Sequence, residues 1–553
     1  MNNQKFKISL ITVLLSAAVL FTGLTISRDD DIYEKINRNM NLFGQVYKEI
    51  ALNYVDEIDA DKFMTAGIEG MLSTLDPYTN YIDEKSRDQI ELITSGKYGG
   101  VGITVSVRDS MIVITEIMNG YEAQKKGLRV GDKIIEIDGS NISNRKSETM
   151  KGLVRGPVGT EVNLKIDRDG EVIDFSLIRQ EIILKNVSYF GYLEPKNKGI
   201  AYVKLDRFTN ISESEIENAI NKLKSEGDIK GLVLDLRDNG GGLLDAATGI
   251  LNKIVTKNSL LVITKGKRTD SEKKYFSKED PMITEDIPIA VLINQNTASA
   301  SEIVSGAIQD LDRGVIVGTK SFGKGLVQQI KDLDKKAQIK ITSSRYYTPS
   351  GRWIQEKNYF KDNKYGVFVD KSKYDQTDFK TLNGRIVKAF GGIEPDIEVK
   401  IEPESEIYTG LLSKDMFFKF AKHYIDMNPE IKSVKPDDAI FNTFKNFLRD
   451  NNFSYDSKIE KKLKEIELLA TGKNYKSVIE SSIKKIESDV EAGELEEIES
   501  SKAEITRAIV NEINKMIITE AEQIEATFPY DVQLQEAVGI IESEQRYKSI
   551  LGK

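Results

Sequence analysis

Ser299 and Lys324 are the two side chains of this chain whose types and spacing suit covalent chemistry. The 553 residues include no cysteine and a single histidine, His423. A cysteine nucleophile is therefore excluded and a histidine base nearly so, which leaves serine to attack and lysine to accept a proton. Ser299 stands in Thr297-Ala-Ser299-Ala-Ser-Glu302, after an apolar strand and at the start of a helical stretch. A hydroxyl there meets the free N–H groups and positive dipole end of a helix, which stabilise negative charge on oxygen. Lys324 follows 25 residues later between two glycines, in Phe322-Gly-Lys324-Gly-Leu-Val-Gln328.

Each feature has a plainer local reading. Ser299-x-x-Glu302 is also a capping box, and most such serines only cap helices. Gly318-Thr-Lys-Ser-Phe-Gly-Lys324-Gly325 comes within one residue of a phosphate-binding loop, but that loop needs Ser or Thr after the lysine, and Gly325 stands there. A lysine acting as base must lose its proton near neutral pH, which burial without a carboxylate partner promotes. Phe322, Leu326 and Val327 offer the apolar surroundings, and Gln328 can orient the amine without restoring its charge. The loop Asp235-Leu-Arg-Asp-Asn-Gly-Gly241-Gly242-Leu243 follows a strand, where α/β domains place their sites. Its glycine N–H groups suit an oxyanion or a simple tight turn. His423 reads as a packing or surface residue. No cluster has metal-ligand spacing, so neither metal nor cofactor is expected.

These segments need a scaffold. Hydrophobic content of 40% and charge of 30% fit a folded globular chain, and a net charge of −9 argues against a nucleic-acid partner. The exception is residues 8–27, an uncharged and largely apolar run behind Lys5 and Lys7. It is long enough to span a bilayer, with the N-terminus in the cytoplasm and the bulk of the chain outside. A cleaved signal peptide is the alternative. Residues 32–93 carry helical spacing, through Ile36, Met40, Phe43, Val46 and Ile50, broken at Leu75-Asp-Pro-Tyr-Thr-Asn-Tyr81. Residues 94–182 change to period two and form a compact β-rich module. Residues 183–402 alternate strands and helices, an α/β domain with a partly parallel sheet. Residues 403–553 read as a separate helical tail. Its Lys/Glu runs are solvated helix faces.

Taken in order, the motifs resemble those of the carboxyl-terminal processing, or tail-specific, proteases of the S41 family of Ser–Lys peptidases. The resemblance covers residues 35 to 402. Beyond the three segments above it rests on Leu75-Asp-Pro-Tyr-Thr-Asn-Tyr81, Leu153-Val-Arg-Gly-Pro-Val-Gly-Thr160, Tyr346-Tyr-Thr-Pro-Ser-Gly-Arg352 and Gly391-Gly-Ile-Glu-Pro-Asp396. It implies Ser299 as nucleophile, Lys324 as general base and Gln328 as the residue orienting the lysine. The backbone N–H of Ala300 and of a glycine in the Gly241-Gly242 pair would form the oxyanion hole. Ser301 is the other serine of the motif, and the spacing to Lys324 favours Ser299.

The β-rich module resembles a PDZ domain. Tyr98-Gly-Gly100-Val101-Gly102-Ile103 matches the loop whose N–H groups hold a terminal carboxylate, beside which a peptide adds as a strand. The resemblance thus implies an endopeptidase of the cell envelope. It would be anchored in the inner membrane with its catalytic part in the periplasm or outside, or exported through a cleaved signal. Its partners would be proteins or peptides with exposed C-terminal tails, with a homo-oligomer left open. The rival reading is a non-catalytic scaffold, a PDZ-type module on an inactive protease shell.

Overall fold

The computed structural model describes residues 32–83, 87–108, 111–142, 153–356, 359, 377–455, 457–471 and 476–553. Residues 8–27, expected to span a membrane or to be cleaved, lie outside these. No helix among the described residues is long and apolar enough to cross a membrane. The chain divides into a smaller unit, Met1–Tyr81 with Ile330–Ile341 and Tyr359–Lys371, and a larger unit holding the rest. In the smaller unit, residues 32–53 form a helix that pairs with Ala60–Leu72. Tyr47 stacks on Phe63 at 5.7 Å between ring centroids. The Asp76 carboxylate then accepts the Tyr78 and Thr79 N–H groups, which makes the turn that the Asp-Pro pair announces.

In the larger unit the β-rich module is a meander. Ile103–Arg108, Met111–Ile117, Lys133–Ile137, Glu161–Arg168 and Glu171–Ile178 pair in that order, and Lys97–Gly100 pairs with Gln180–Ile183. Its alternating residues Ile112, Ile114, Val162, Leu164 and Ile166 close one core.

The α/β domain is built on one six-stranded sheet: β1 (Val187–Tyr192), β2 (Ile200–Leu205), β3 (Gly231–Asp235), β4 (Ile289–Ile293), β5 (Val315–Gly318) and β6 (Ile397–Glu398), in that order. β1 runs antiparallel to β2, and the other contacts are parallel. Helices α1 (Ser212–Glu226), α2 (Leu244–Asn252) and α3 (Ala300–Asp310) cover one face, packing Ile220, Ile250 and Val304 on Val203, Leu232, Leu234 and Val291. A second sheet, from Leu260–Gly266, Lys273–Phe276, Leu326–Asp332 and Gln338–Tyr347, had no signal in the sequence reading.

The opposite face of the main sheet carries Tyr202, Val233, Ala290, Leu292, Val315 and Val317, the alternate residues of the same strands. They are covered by Leu534, Ala537, Ile540 and Ile541 of α4 (Val532–Glu542) and by Leu551. The helical region is therefore not a separate tail throughout. Residues 406–517 have their own core of Phe420, Phe441, Phe444, Ile505 and Ile509, whereas α4 supplies the second helical layer that a buried parallel sheet requires.

Ile540 is fully buried against that sheet. Ile540→Ala should lower stability by about 2–4 kcal/mol in urea unfolding, as cavity-forming core substitutions do. A loss below about 0.5 kcal/mol would show that α4 is not part of the core.

Candidate active site

The three chemistry-bearing segments leave the carboxyl ends of three adjacent parallel strands. The glycine loop follows β3, the Ser299 turn follows β4 and the Lys324 loop follows β5. This is where open α/β sheets gather their sites. Backbone bonds stitch the segments together. The Ala298 N–H and the Ser301 hydroxyl donate to the Asn239 carbonyl at 3.0 and 2.9 Å, and the Phe322 N–H donates to the Thr297 carbonyl at 3.0 Å.

Ser299 sits at the N-terminus of α3 with φ 57° and ψ −113°, outside the regions a non-glycine residue favours. Its hydroxyl makes no capping bond. The Glu302 N–H donates instead to the Ser299 carbonyl at 2.9 Å, and the fully buried Tyr346 hydroxyl donates to the same oxygen at 3.1 Å. Burial and the nearby Glu302 charge push the Tyr346 hydroxyl well above its ordinary pKa, so it stays a donor. Of the capping-box contacts, the firm one is the Glu302 carboxylate on the Ser299 N–H.

Glu302 is the residue that the sequence reading did not weigh beyond that box. Its carboxylate is wholly buried. Oε2 accepts the backbone N–H of Ser299 at 2.8 Å and of Lys324 at 2.9 Å. Oε1 accepts the Ser321 hydroxyl at 2.6 Å and the Gly323 N–H at 2.7 Å. Burial raises its pKa, and the four donors pull the other way. Two residues 25 apart in sequence thus share one oxygen atom, and their nitrogens lie no farther apart than those two bonds laid end to end.

Lys324 is partly buried, with Leu326 buried and Val327 partly buried beside it in sequence. Phe322, expected to help enclose it, is 46% exposed. A Cβ on Gly325 would lie 2.7 Å from the Trp353 indole nitrogen, which is the physical reason no Ser or Thr can follow this lysine as in a phosphate loop. Gln328 lies on the strand that leaves this loop, and its Nε2 donates to Thr342 Oγ1 at 3.1 Å. That bond fixes the amide's orientation and leaves its oxygen as the acceptor.

Gly241 packs directly on Ser299. At φ 93°, a Cβ there would lie 2.8 Å from both the Ala300 nitrogen and the Ser299 Cβ. Its N–H, however, already donates to Asn239 Oδ1 at 2.9 Å. Among the described residues the Ala300 and Gly242 N–H groups have no hydrogen-bond partner. Asn239, whose Nδ2 donates to the Leu205 carbonyl at 2.7 Å, is the buried pivot of this arrangement.

Gly100, Val101, Gly102 and Ile103 lie in the β-rich module. Val101 and Gly102 are buried, and their N–H groups have no partner among the described residues, although their carbonyls accept from Ala123 and Met118. His423 lies on an exposed helix face against Phe447.

Comparison with known proteins adds an independent line. Residues 199–365 match the family model for Peptidase family S41, and residues 89–167 match the PDZ domain. Residues 407–541 match "Probable PDZ-protease, C-terminal helical domain", and residues 17–86 match "Activating protease CtpB N-terminal domain". A carboxy-terminal-processing protease of Bartonella bacilliformis is 36% identical over 351 residues, covering 62% of this chain and 78% of that one. A probable CtpA-like serine protease of Staphylococcus aureus is 31% identical over 374 residues, 66% and 73% of the two chains. Among solved structures, a photosystem II D1 C-terminal processing protease aligns at 24% identity and a TM-score of 0.36, over 65% of this chain and 93% of that one.

Glu302→Gln turns one acceptor oxygen into an amide NH₂ facing N–H and O–H donors. It should cost about 2–4 kcal/mol of stability, the scale of a buried donor left without its acceptor. Unfolding in urea measures this, and an unchanged midpoint would mean that the four donors do not depend on the charge.

Proposed function

This chain belongs to the carboxy-terminal-processing proteases of peptidase family S41, and we propose that it is an endopeptidase that captures C-terminal tails and cleaves through a Ser–Lys acyl-enzyme. The observation that carries this reading is the single Glu302 oxygen holding the Ser299 and Lys324 backbones at 2.8 and 2.9 Å. Bringing these two backbones together supports reading them as nucleophile and base, in a chain that has no cysteine.

In this mechanism Lys324 Nζ, neutral, takes the proton as Ser299 Oγ attacks the scissile carbonyl. The oxyanion is received by the Ala300 N–H and by the Gly242 N–H of the glycine pair, with Gly241 as the close-packed spacer. The intermediate expels the amine, which takes the proton back from Lys324. A water molecule activated by the same lysine then hydrolyses the ester. Gln328 offers its oxygen to the ammonium and is held in that orientation by Thr342.

The PDZ domain supplies substrate choice. The adjacent Val101 and Gly102 N–H groups suit a terminal carboxylate, and Gly100 and Ile103 flank them on paired strands. The charge asymmetry around residues 8–27 supports a catalytic part outside the cytoplasm, either tethered or exported.

Ser299→Ala and Lys324→Ala should each cut cleavage of a tailed substrate about a thousandfold or more, as removal of an acyl-transfer nucleophile or base does. Tail-peptide affinity should be unchanged in both. Wild-type turnover in Ser299→Ala would sink the mechanism. Separately, amidating the C-terminus of a tail peptide should weaken its binding at least about tenfold, since that removes the carboxylate the loop is proposed to hold. Equal binding of acid and amide forms would remove the loop's proposed role.

A further inference from the structure

The last helices of the chain, to which no chemistry attaches so far, reach the catalytic loop through one guanidinium. Arg237 lies just past the end of β3 and two residues before Asn239. Its Nε donates to Asp235 at 3.0 and 3.1 Å, and its Nη2 to Asp235 Oδ2 and Asp531 Oδ2, each at 2.6 Å. Its Nη1 donates to Asp531 Oδ1 at 3.0 Å and to Gln533 Oε1 at 3.1 Å. All three nitrogens of the fork are therefore engaged. The Arg237 and Asp531 side chains are 14% and 15% exposed.

Asp531 has a second duty. Its Oδ1 caps α4 by accepting the Gln533 and Leu534 N–H groups at 3.1 and 3.0 Å, and Gln533 Nε2 donates to the Val399 carbonyl at 2.8 Å. The carboxylate is thus fixed on the sheet before it meets Arg237. On the other side, Asn239 holds the Gly241 N–H, the Ala298 N–H and the Ser301 hydroxyl. The run Arg237–Asn239 is pinned by the nucleophile turn at one end and by the C-terminal helix at the other.

We propose that Asp531 is a positioning residue for the reaction, holding Arg237 and through it the glycine loop that presents the oxyanion N–H. The C-terminal helical region is then part of the catalytic centre. This rests on the acyl-enzyme reading of Ser299.

Asp531→Asn separates the two duties, because asparagine caps a helix about as well as aspartate but carries no charge for Arg237. The expected result is a kcat at least tenfold lower, with KM and tail-peptide affinity within twofold of wild type and a matching fall in the rate at which a fluorophosphonate labels Ser299. Ile540→Ala, which loosens the same helix on the sheet without touching Arg237, should keep kcat per folded molecule. A wild-type kcat in Asp531→Asn overturns the proposal. So does an equal loss in Ile540→Ala, which would make docking of the helix the cause. Ser299→Ala in the same assay keeps the two readings apart. If it still cleaves, the mechanism has failed. If it is inert while Asp531→Asn is fully active, only the clamp has failed.

Discussion

One buried carboxylate organises this molecule. Glu302 is wholly buried, and burial raises its pKa against the pull of its hydrogen-bond donors. Burying an unpaired charge is costly unless hydrogen bonds replace its hydration. Here three backbone N–H groups and one hydroxyl do so at 2.6–2.9 Å. The solvation demand of one side chain becomes a positional constraint on four donors from two separate loops. The Ser299 turn and the Lys324 loop cannot drift apart without stranding that charge.

The same constraint supports a strained residue. A non-glycine residue at positive φ costs on the order of 1–3 kcal/mol and persists only where its surroundings over-determine it. At Ser299 both neighbouring peptide groups are tied. Its N–H goes to Glu302, and its carbonyl accepts from Glu302 N, Ile303 N and the Tyr346 hydroxyl. The backbone on both sides of the residue is therefore held in place. Because the Ser299 carbonyl and the Ala300 N–H belong to one planar peptide, fixing the carbonyl also fixes the direction of the opposing donor.

Much of this was legible in the sequence, and the failures have physical causes. Strands β2, β3 and β4 read correctly because they are short apolar runs bounded by turn residues. The 25-residue interval between Ser299 and Lys324 was informative because each follows the carboxyl end of one of two adjacent strands. The second sheet was missed because its strands are half exposed and rich in Lys, Gln and Ser, as in Leu326–Asp332 and Gln338–Tyr347, which blurs the period of two. The tail looked separate because local spacing shows that a helix has an apolar face but not what covers it. Its helix α4 lies on a sheet formed more than a hundred residues earlier. The oxyanion donor was matched only to the Gly241-Gly242 pair, and it takes the structure to show that the Gly241 N–H donates to the Asn239 amide oxygen. Tyr346 and Asn239 stood inside recognised motifs, but a motif does not state which atom holds which.

The segment from Tyr346 to Gln355 shows why its residues travel together. Tyr346 holds the Ser299 carbonyl at the start of α3. Trp353 Nε1 and the Tyr346 N–H both donate to the Gly325 carbonyl, at 2.9 and 3.1 Å, and Gln355 Oε1 accepts the Gly325 N–H at 2.8 Å. Arg352 meets Asp310, the last residue of α3, at 2.7 Å with both side chains buried. A carboxylate at a helix C-terminus opposes the helix dipole, and here the guanidinium and the Ser350 N–H, at 2.9 Å, offset the Asp310 charge. One segment therefore meets both ends of α3 and backs the Lys324 loop. A shift of its register would move the Ser299 carbonyl, the Gly325 carbonyl and the Asp310 charge at once. Alignment of the Ser–Lys pair is thus a property of the segment behind it as much as of the two residues themselves.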